Sequence, residues 1–352
     1  MLATVLTIAI PFSLDAAASN EKTIDIKNTY QDITLSVSYS ASAVPSKGLS
    51  HLRADNLFQK LSFASALLIT VLMVALFASL VGGALPAISQ FGLGFITSTD
   101  WDPVQSLYGA ANALYGTIIS AVIAVLLATP IGIAIAISLS ELMPKWLAKP
   151  ISIAIELLAA VPSIIYGMWG LFIFAPWFSE NIQMWLLEHI SPLPVIGVLF
   201  EGPPIGLGLL TSGIILAIMI LPILTSLIKD ALATVPNVLR ESSYGIGAHS
   251  YEVILKVLLP SIKSSILGAF ILSLGRALGE TMAITFVVGG SQDINTSLFM
   301  PATSISATIA EQFNEATDPM HLASLLELGL VLFLITFLVM GYARIQLRKG
   351  AK

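Results

Sequence analysis

The sequence predicts an all-α, polytopic membrane protein with six transmembrane helices, and three observations carry that prediction. Residues 61–99, 103–140 and 202–228 contain no charged side chain. Each stretch exceeds the roughly 20 apolar residues a helix needs to cross a hydrocarbon core about 30 Å thick. Only 11% of the residues are charged and the mean hydropathy is +0.90, whereas a soluble domain carries about 25% charged residues. Lysine and arginine, finally, are absent from three of the connections between apolar stretches. A membrane β-barrel is excluded, because its strands give alternating segments of about 10 residues.

Spans are expected near 62–86, 116–139, 151–175, 205–228, 264–289 and 322–343. Gly82 and Gly83 with Pro86 close the first, and Glu141, Pro144 and Lys145 the second. Pro176 ends the third, Lys229 and Asp230 the fourth, Gly289 and Gly290 the fifth, and Arg344 the sixth. The connections 87–115, 176–204 and 290–321 hold no Lys or Arg, but do hold Asp100, Asp102, Glu180, Glu188, Glu201, Asp293, Glu311, Glu315 and Asp318. Lys145 and Lys149 lie between spans two and three, and Lys229, Arg240, Lys256 and Lys263 between spans four and five. Basic side chains are retained on the cytoplasmic face, so the acidic connections face outward and both termini are cytoplasmic. Six is the span number with which every connection agrees.

Residues 1–60 are expected to form a cytoplasmic tail, partly disordered, ahead of a transmembrane region at 61–345 and a second cytoplasmic tail at 346–352. Ala16, Ala17 and Ala18 fit a signal-peptidase site. Cleavage there would put Lys22, Lys27, Lys47, Arg53 and Lys60 outside and invert every later connection. With no cysteine and four scattered histidines, no disulfide and no metal centre is expected. No GxxxxGK[ST] segment exists to cradle ATP phosphates, so the chain is not expected to be an enzyme or to hold a cofactor of its own.

Of sixteen basic residues only Arg276 falls within an expected span. Arginine at membrane depth costs at least about 3 kcal/mol on insertion scales, so it must face protein, water or a partner charge. Glu280 follows four residues later, on the same face of a continuous helix and one turn outward. Gly275 and Gly279 leave room for a neighbouring helix. Two readings are open: an ion pair that fixes packing, or an arginine that presents a planar set of donors to an oxyanion in a pore, held by Glu280 while the pathway is empty. Glu156 and Glu327 are further acids inside expected spans, each able to snorkel to an interface or bond a neighbouring helix.

The connection between spans four and five, with its core at 238–260, is the longest cytoplasmic one. Glu241 begins a short helix that Gly247 breaks. Val253, Ile254, Val257 and Leu258 then share one face of a second amphipathic stretch, and Pro260 starts the turn into span five. Such a segment serves either to anchor the loop in the lipid interface or to dock a cytosolic partner.

This segment resembles the E-A-A-x3-G-x9-I-x-L-P loop of ABC-importer permeases. Glu241, Gly247, Leu259 and Pro260 match in register, with Val257 for isoleucine and Ser242 and Ser243 for the alanines. The run from Gly275 through Arg276, Gly279, Glu280, Thr281, Met282 and Ala283 resembles the PstC-type permease family of bacterial phosphate importers, as do the runs 156–167, 97–103 and 115–117. The resemblance covers residues 60–345 and implies a type I ABC importer permease fold. It further implies a PstA-type permease beside this chain, a PstB-type ATPase dimer that binds ATP and magnesium, and a PstS-type phosphate-binding protein outside, with no nucleic acid involved. On that resemblance Arg276, Glu280 and Thr281 lie on the substrate pathway, and Glu241, Gly247, Leu259 and Pro260 couple to the ATPase. An ATP-independent anion channel or secondary transporter would explain Arg276 and Glu280 equally, and a permease for sulfate or molybdate would share the topology.

Overall fold

A computed structural model describes residues 49–350, with side-chain surroundings for 55–345. Residues 1–48 of the expected N-terminal tail and 351–352 of the C-terminal one lie outside these limits. The chain divides into two compact units, Met1–Ser79 and Leu80–Lys352. Helix α1 (Leu49–Phe91) begins in the first and ends in the second. Pro86, expected to close the first span, sits inside it.

The second unit is built around two helices, α2 (Ala111–Ile137) and α5 (Leu209–Ala233). Ala121, Ala124, Ala128 and Ala136 recur at helical spacing on α2 and are wholly hidden. On α5, Leu216, Ile220, Leu224 and Ile228 form the matching stripe. Between lipid-soluble helices close packing replaces the hydrophobic drive, and small residues let backbones approach. Gly132 is such a point, since a Cβ there would lie 2.8 Å from Leu224 Cδ2.

The third span differs from the expectation at 151–175. Helix α3 (Lys145–Ala159) and helix α4 (Ser163–His189) meet at a bend of 93°. Pro162 donates no hydrogen bond and biases Val161 away from helical geometry, so the ladder stops there. The third apolar stretch is therefore a bent pair of helices, and Pro176 lies inside α4 rather than at the end of the span. A wide π turn, Gly170–Phe174, stands just before that proline. The turn interrupts the i→i−4 ladder where proline would have interrupted it anyway. Glu180 and Glu188 consequently belong to the second half of α4 and not to a loop. Helix α3 buries none of its residues. Glu156 on α3 is not a lone intramembrane acid: Lys229 Nζ, one turn from the end of α5, donates to its Oε1 at 2.7 Å and also bonds Ser152.

After α5 the chain forms α6 (Asn237–Gly245) and α7 (Ser250–Ser261), then bends by 69° into α8 (Lys263–Leu278). The fifth span also breaks. Gly279, Glu280 and Thr281 are not helical, and a short helix α9 (Met282–Val287) follows. The segment after α9 folds back against α2, where Asn112 Nδ2 donates to Thr99 O at 2.6 Å and to Gln292 O, and Tyr115 Oη donates to Asn295 O at 2.8 Å. Helix α10 (Ile305–Gln312), capped by the Ser304 side chain, leads to α11 (Pro319–Gly350). Among the described residues four helices are long and apolar enough to cross a membrane, and six spans result when each bent pair is one. Among the described residues there is no β-strand.

Candidate functional site: the broken fifth span and the cytoplasmic loop

Three of the expected pathway residues fall at or beside the break. Arg276 stands in the last turn of α8 and is exposed. Glu280 is buried at 8% exposure in the non-helical link. Its Oε1 accepts the Ala283 N–H at 3.3 Å, and its backbone carbonyl accepts the Ser306 hydroxyl at 2.6 Å. Thr281 is half-buried and its carbonyl accepts Thr285 Oγ1 at 2.8 Å. The link thus has its polar groups tied to α9 and α10. Irregular backbone at membrane depth is tolerated where protein or a wet cavity satisfies it.

The expected Arg276–Glu280 ion pair does not form. The ion pairs the structure contains among its described residues include Lys229–Glu156, Arg240–Glu141 and Lys256–Glu252, but not this one. The reason is the break itself: α8 ends at Leu278, so the two side chains no longer share a helix face. Arg276 makes no hydrogen bond or ion pair to the protein among the described residues. On α4, Tyr166 Oη donates to Leu158 O at 2.9 Å, across the α3–α4 bend. Sequence reasoning missed this bond. Its signal was the position four residues after Pro162, where a side chain can reach back over a broken ladder.

Glycine sets the frame. A Cβ at Gly167 would lie 2.9 Å from Ala283 Cα, so α4 and α9 touch through backbone. At Gly275 a Cβ would lie 3.1 Å from Met340 Sδ, the close helix approach expected at that residue. Glu327 on α11 neither snorkels nor bonds a neighbour: it is 5% exposed, and its Oε2 has no hydrogen-bond partner.

In the connection between spans four and five, α6 starts at Asn237 behind Pro236, four residues before the expected start at Glu241. Glu241 is exposed near its middle. Gly247 ends the turn with φ +90°, in open space. Helix α7 is capped by the Glu252 carboxylate on the His249 N–H at 3.1 Å. Of the four residues expected to share one face, Val253, Ile254 and Leu258 are buried in the main core, while Val257 is only half-buried. Leu259 is half-buried and Pro260 exposed in the last turn of α7, with the bend following at Ile262. Val238, Tyr244, Ile246 and Tyr251 remain exposed across α6, the Gly247 turn and α7. Placing alanine at Gly247 forces a side chain into left-handed backbone, a penalty of about 1–2 kcal/mol. With no steric clash to add, Gly247→Ala is expected to keep the fold but loosen this loop, read as faster amide hydrogen exchange over residues 245–252.

Comparison with known proteins supplies the assignment. Residues 128–350 match the family described as "Binding-protein-dependent transport system inner membrane component". The chain is 50% identical over 295 residues to the "Phosphate transport system permease protein PstC" of Mesorhizobium japonicum, covering 84% of this chain and 90% of that one. The chain belongs to the PstC family of binding-protein-dependent transport permeases. The Haemophilus influenzae PstC is 48% identical over 295 residues, with 84% and 93% covered. A probable PstC of Methanocaldococcus jannaschii is 37% identical over 294 residues, with 82% and 92% covered. Among solved structures, a chain of the bacterial alginate ABC transporter in complex with its pentasaccharide-bound periplasmic protein aligns with TM-score 0.55 at 17% identity, over 87% of this permease and 99% of that chain. A second structure of a bacterial ABC transporter that imports alginate gives 0.53. The PstC-type permease therefore has the fold of a type I ABC importer permease.

Proposed function

We propose that this chain is the transmembrane pore subunit of an ATP-driven importer of inorganic phosphate, with Arg276 as the oxyanion contact in the pathway. Identity near 50% to PstC permeases over most of both chains supports the importer and its cargo. The uncommitted Arg276 guanidinium at the end of α8 carries the residue assignment. A guanidinium offers paired N–H donors that match two oxygens of a tetrahedral oxyanion. Glu280, anchored on α9, adds negative charge nearby and keeps the anion from binding too tightly to leave.

Coupling to ATP runs through α6 and α7 in this reading. Exposed Glu241, the open turn at Gly247, and Leu259 and Pro260 at the end of α7 form the surface offered to a PstB-type ATPase. A PstA-type permease completes the pore, and a PstS-type protein delivers phosphate to the outer connections. Both termini are cytoplasmic and the membrane is the bacterial inner membrane, on the placement of lysine and arginine.

The test is uptake of labelled phosphate into proteoliposomes that hold this chain with its co-expressed partner subunits and binding protein. Uptake is expected to require ATP and to ignore a large excess of sulfate. Uptake without ATP would overturn the importer reading, and sulfate competition would change the cargo.

A further inference from the structure

Helix α6, the first half of the cytoplasmic loop, has little to hold it. Of its residues only Ser243 is buried, and that hydroxyl bonds within the helix, to Leu239 O at 2.7 Å. Helix α7 is different, because Val253, Ile254 and Leu258 root it in the core. Between α5 and α6 lies the short turn 234–236, whose Pro236 ends any shared helical ladder. A turn of this kind is a hinge unless something crosses it.

Arg240 crosses it. Its Nη1 donates to Val235 O at 2.6 Å and Asn237 Oδ1 at 3.3 Å, and its Nη2 to Leu232 O at 2.8 Å and Glu141 Oε1 at 3.0 Å. Leu232 O, at the end of α5, already accepts the Val235 N–H at 3.2 Å, and the guanidinium is a second donor on its other lone pair. Glu141 belongs to the π turn Ser138–Leu142 that terminates α2, and Ser140 Oγ steadies its carboxylate at 3.2 Å. The Arg240 and Glu141 side chains are only 17% and 14% exposed, so water screens their bond weakly. One guanidinium thus joins α6 to the cytoplasmic ends of both central helices.

We infer that Arg240 is the positioning residue that makes α6 move as one body with α2 and α5, so that displacement of α6 by a bound ATPase reaches the pore. The inference rests on the importer reading above. A lysine has one nitrogen and cannot span the two carbonyls and the carboxylate together. Losing the tether leaves the α6 surface intact, since Arg240 faces the core-side carbonyls and not the exposed patch.

The experiment uses the complete transporter in proteoliposomes and records phosphate taken up and ATP hydrolysed in the same vesicles. Arg240→Gln is expected to bind the ATPase in the normal ratio yet deliver about tenfold less phosphate per ATP. Arg240→Lys recovers part of that loss. Glu141→Gln, which leaves the carbonyl contacts in place, is expected to lower the ratio about threefold. A phosphate-to-ATP ratio equal to wild type in both Arg240→Gln and Glu141→Gln overturns the tether, including the case where uptake and hydrolysis fall together. Should Arg240→Gln fail to assemble, Glu141→Gln alone decides, by the same criterion. Wild-type vesicles without ATP-dependent uptake would sink the importer reading and the tether with it. Active wild type with unchanged variants sinks the tether only.

Discussion

Replacing Arg276 with glutamine is expected to cut ATP-dependent phosphate uptake by about thirtyfold or more, with assembly and ATPase binding unchanged. A hydrogen bond to a charged group contributes about 1.5–3 kcal/mol, and every 1.4 kcal/mol is about tenfold. The side chain makes no hydrogen bond or ion pair to the protein among the described residues, so its loss strands no buried acceptor in the fold. A packing arginine behaves in the opposite way: its truncation harms stability first and transport second. Thermal unfolding of the purified variant separates the two, and a melting temperature within error of wild type is expected. Arg276→Lys tests the paired donors, since an ammonium keeps the charge and loses the planar geometry. Lysine is expected to recover a minor part of the uptake. Full recovery would leave charge, rather than geometry, as the requirement.

Alanine at Gly116 is expected to produce the largest loss of stability. Gly116 lies buried on α2 under the segment that returns from α9, and a Cβ there would overlap the Thr303 carbonyl oxygen. The obstacle is backbone, which cannot rotate aside as a side chain does. Neighbouring contacts pin the same segment, for Thr117 Oγ1 accepts the Ile305 N–H at 2.9 Å and Thr303 Oγ1 bonds Thr308 Oγ1 at 2.9 Å. Overpacking of this kind typically costs about 1–3 kcal/mol, and rigid surroundings put Gly116→Ala at the upper end. The check is the yield and melting temperature of the variant in detergent, with Gly82→Ala as control because nothing lies within 4 Å of a Cβ there. A Gly116→Ala protein as stable as the control would mean that this segment can leave α2 without penalty.

Much of this architecture could be read from hydropathy and charge. The apolar stretches of the spans, the long connection between spans four and five and the buried face of Val253, Ile254 and Leu258 follow from periodicity, because burial and lipid exposure select side chains by position. The bend into the fifth span was marked by Pro260, but the bend between α3 and α4 escaped it. Val161 and Pro162 sat inside an apolar run long enough to be one straight span, and hydropathy is blind to direction. The break at residues 279–281 was hidden for a related reason: Arg276 and Glu280 have i,i+4 spacing, which signals a pair only if the ladder continues. Gly279 was the available warning, read as room for a neighbour instead of as an end. Pro176 misled in the other direction, since a proline next to a π turn no longer marks a terminus. Arg240 was legible as a loop charge and no more, because its partners lie on three different elements.

The π turns have a meaning in terms of descent. Ser138–Leu142, Gly170–Phe174, Ser179–Gln183 and Val253–Leu258 each hold one residue more than a regular α-helical turn of the same rise. A π turn is therefore a place where a helix can absorb a single-residue insertion by widening instead of unwinding. Removing one residue from any of these four segments restores an unbroken α-ladder and rotates everything beyond it by about 100°. In α7 that rotation would carry Leu258 off the core. In α4 it would turn the outer half of the helix toward other neighbours. Relatives aligned to this chain should accordingly differ in length by one residue at these four places more readily than elsewhere in the spans, and should change lining residues beyond each gap when they do.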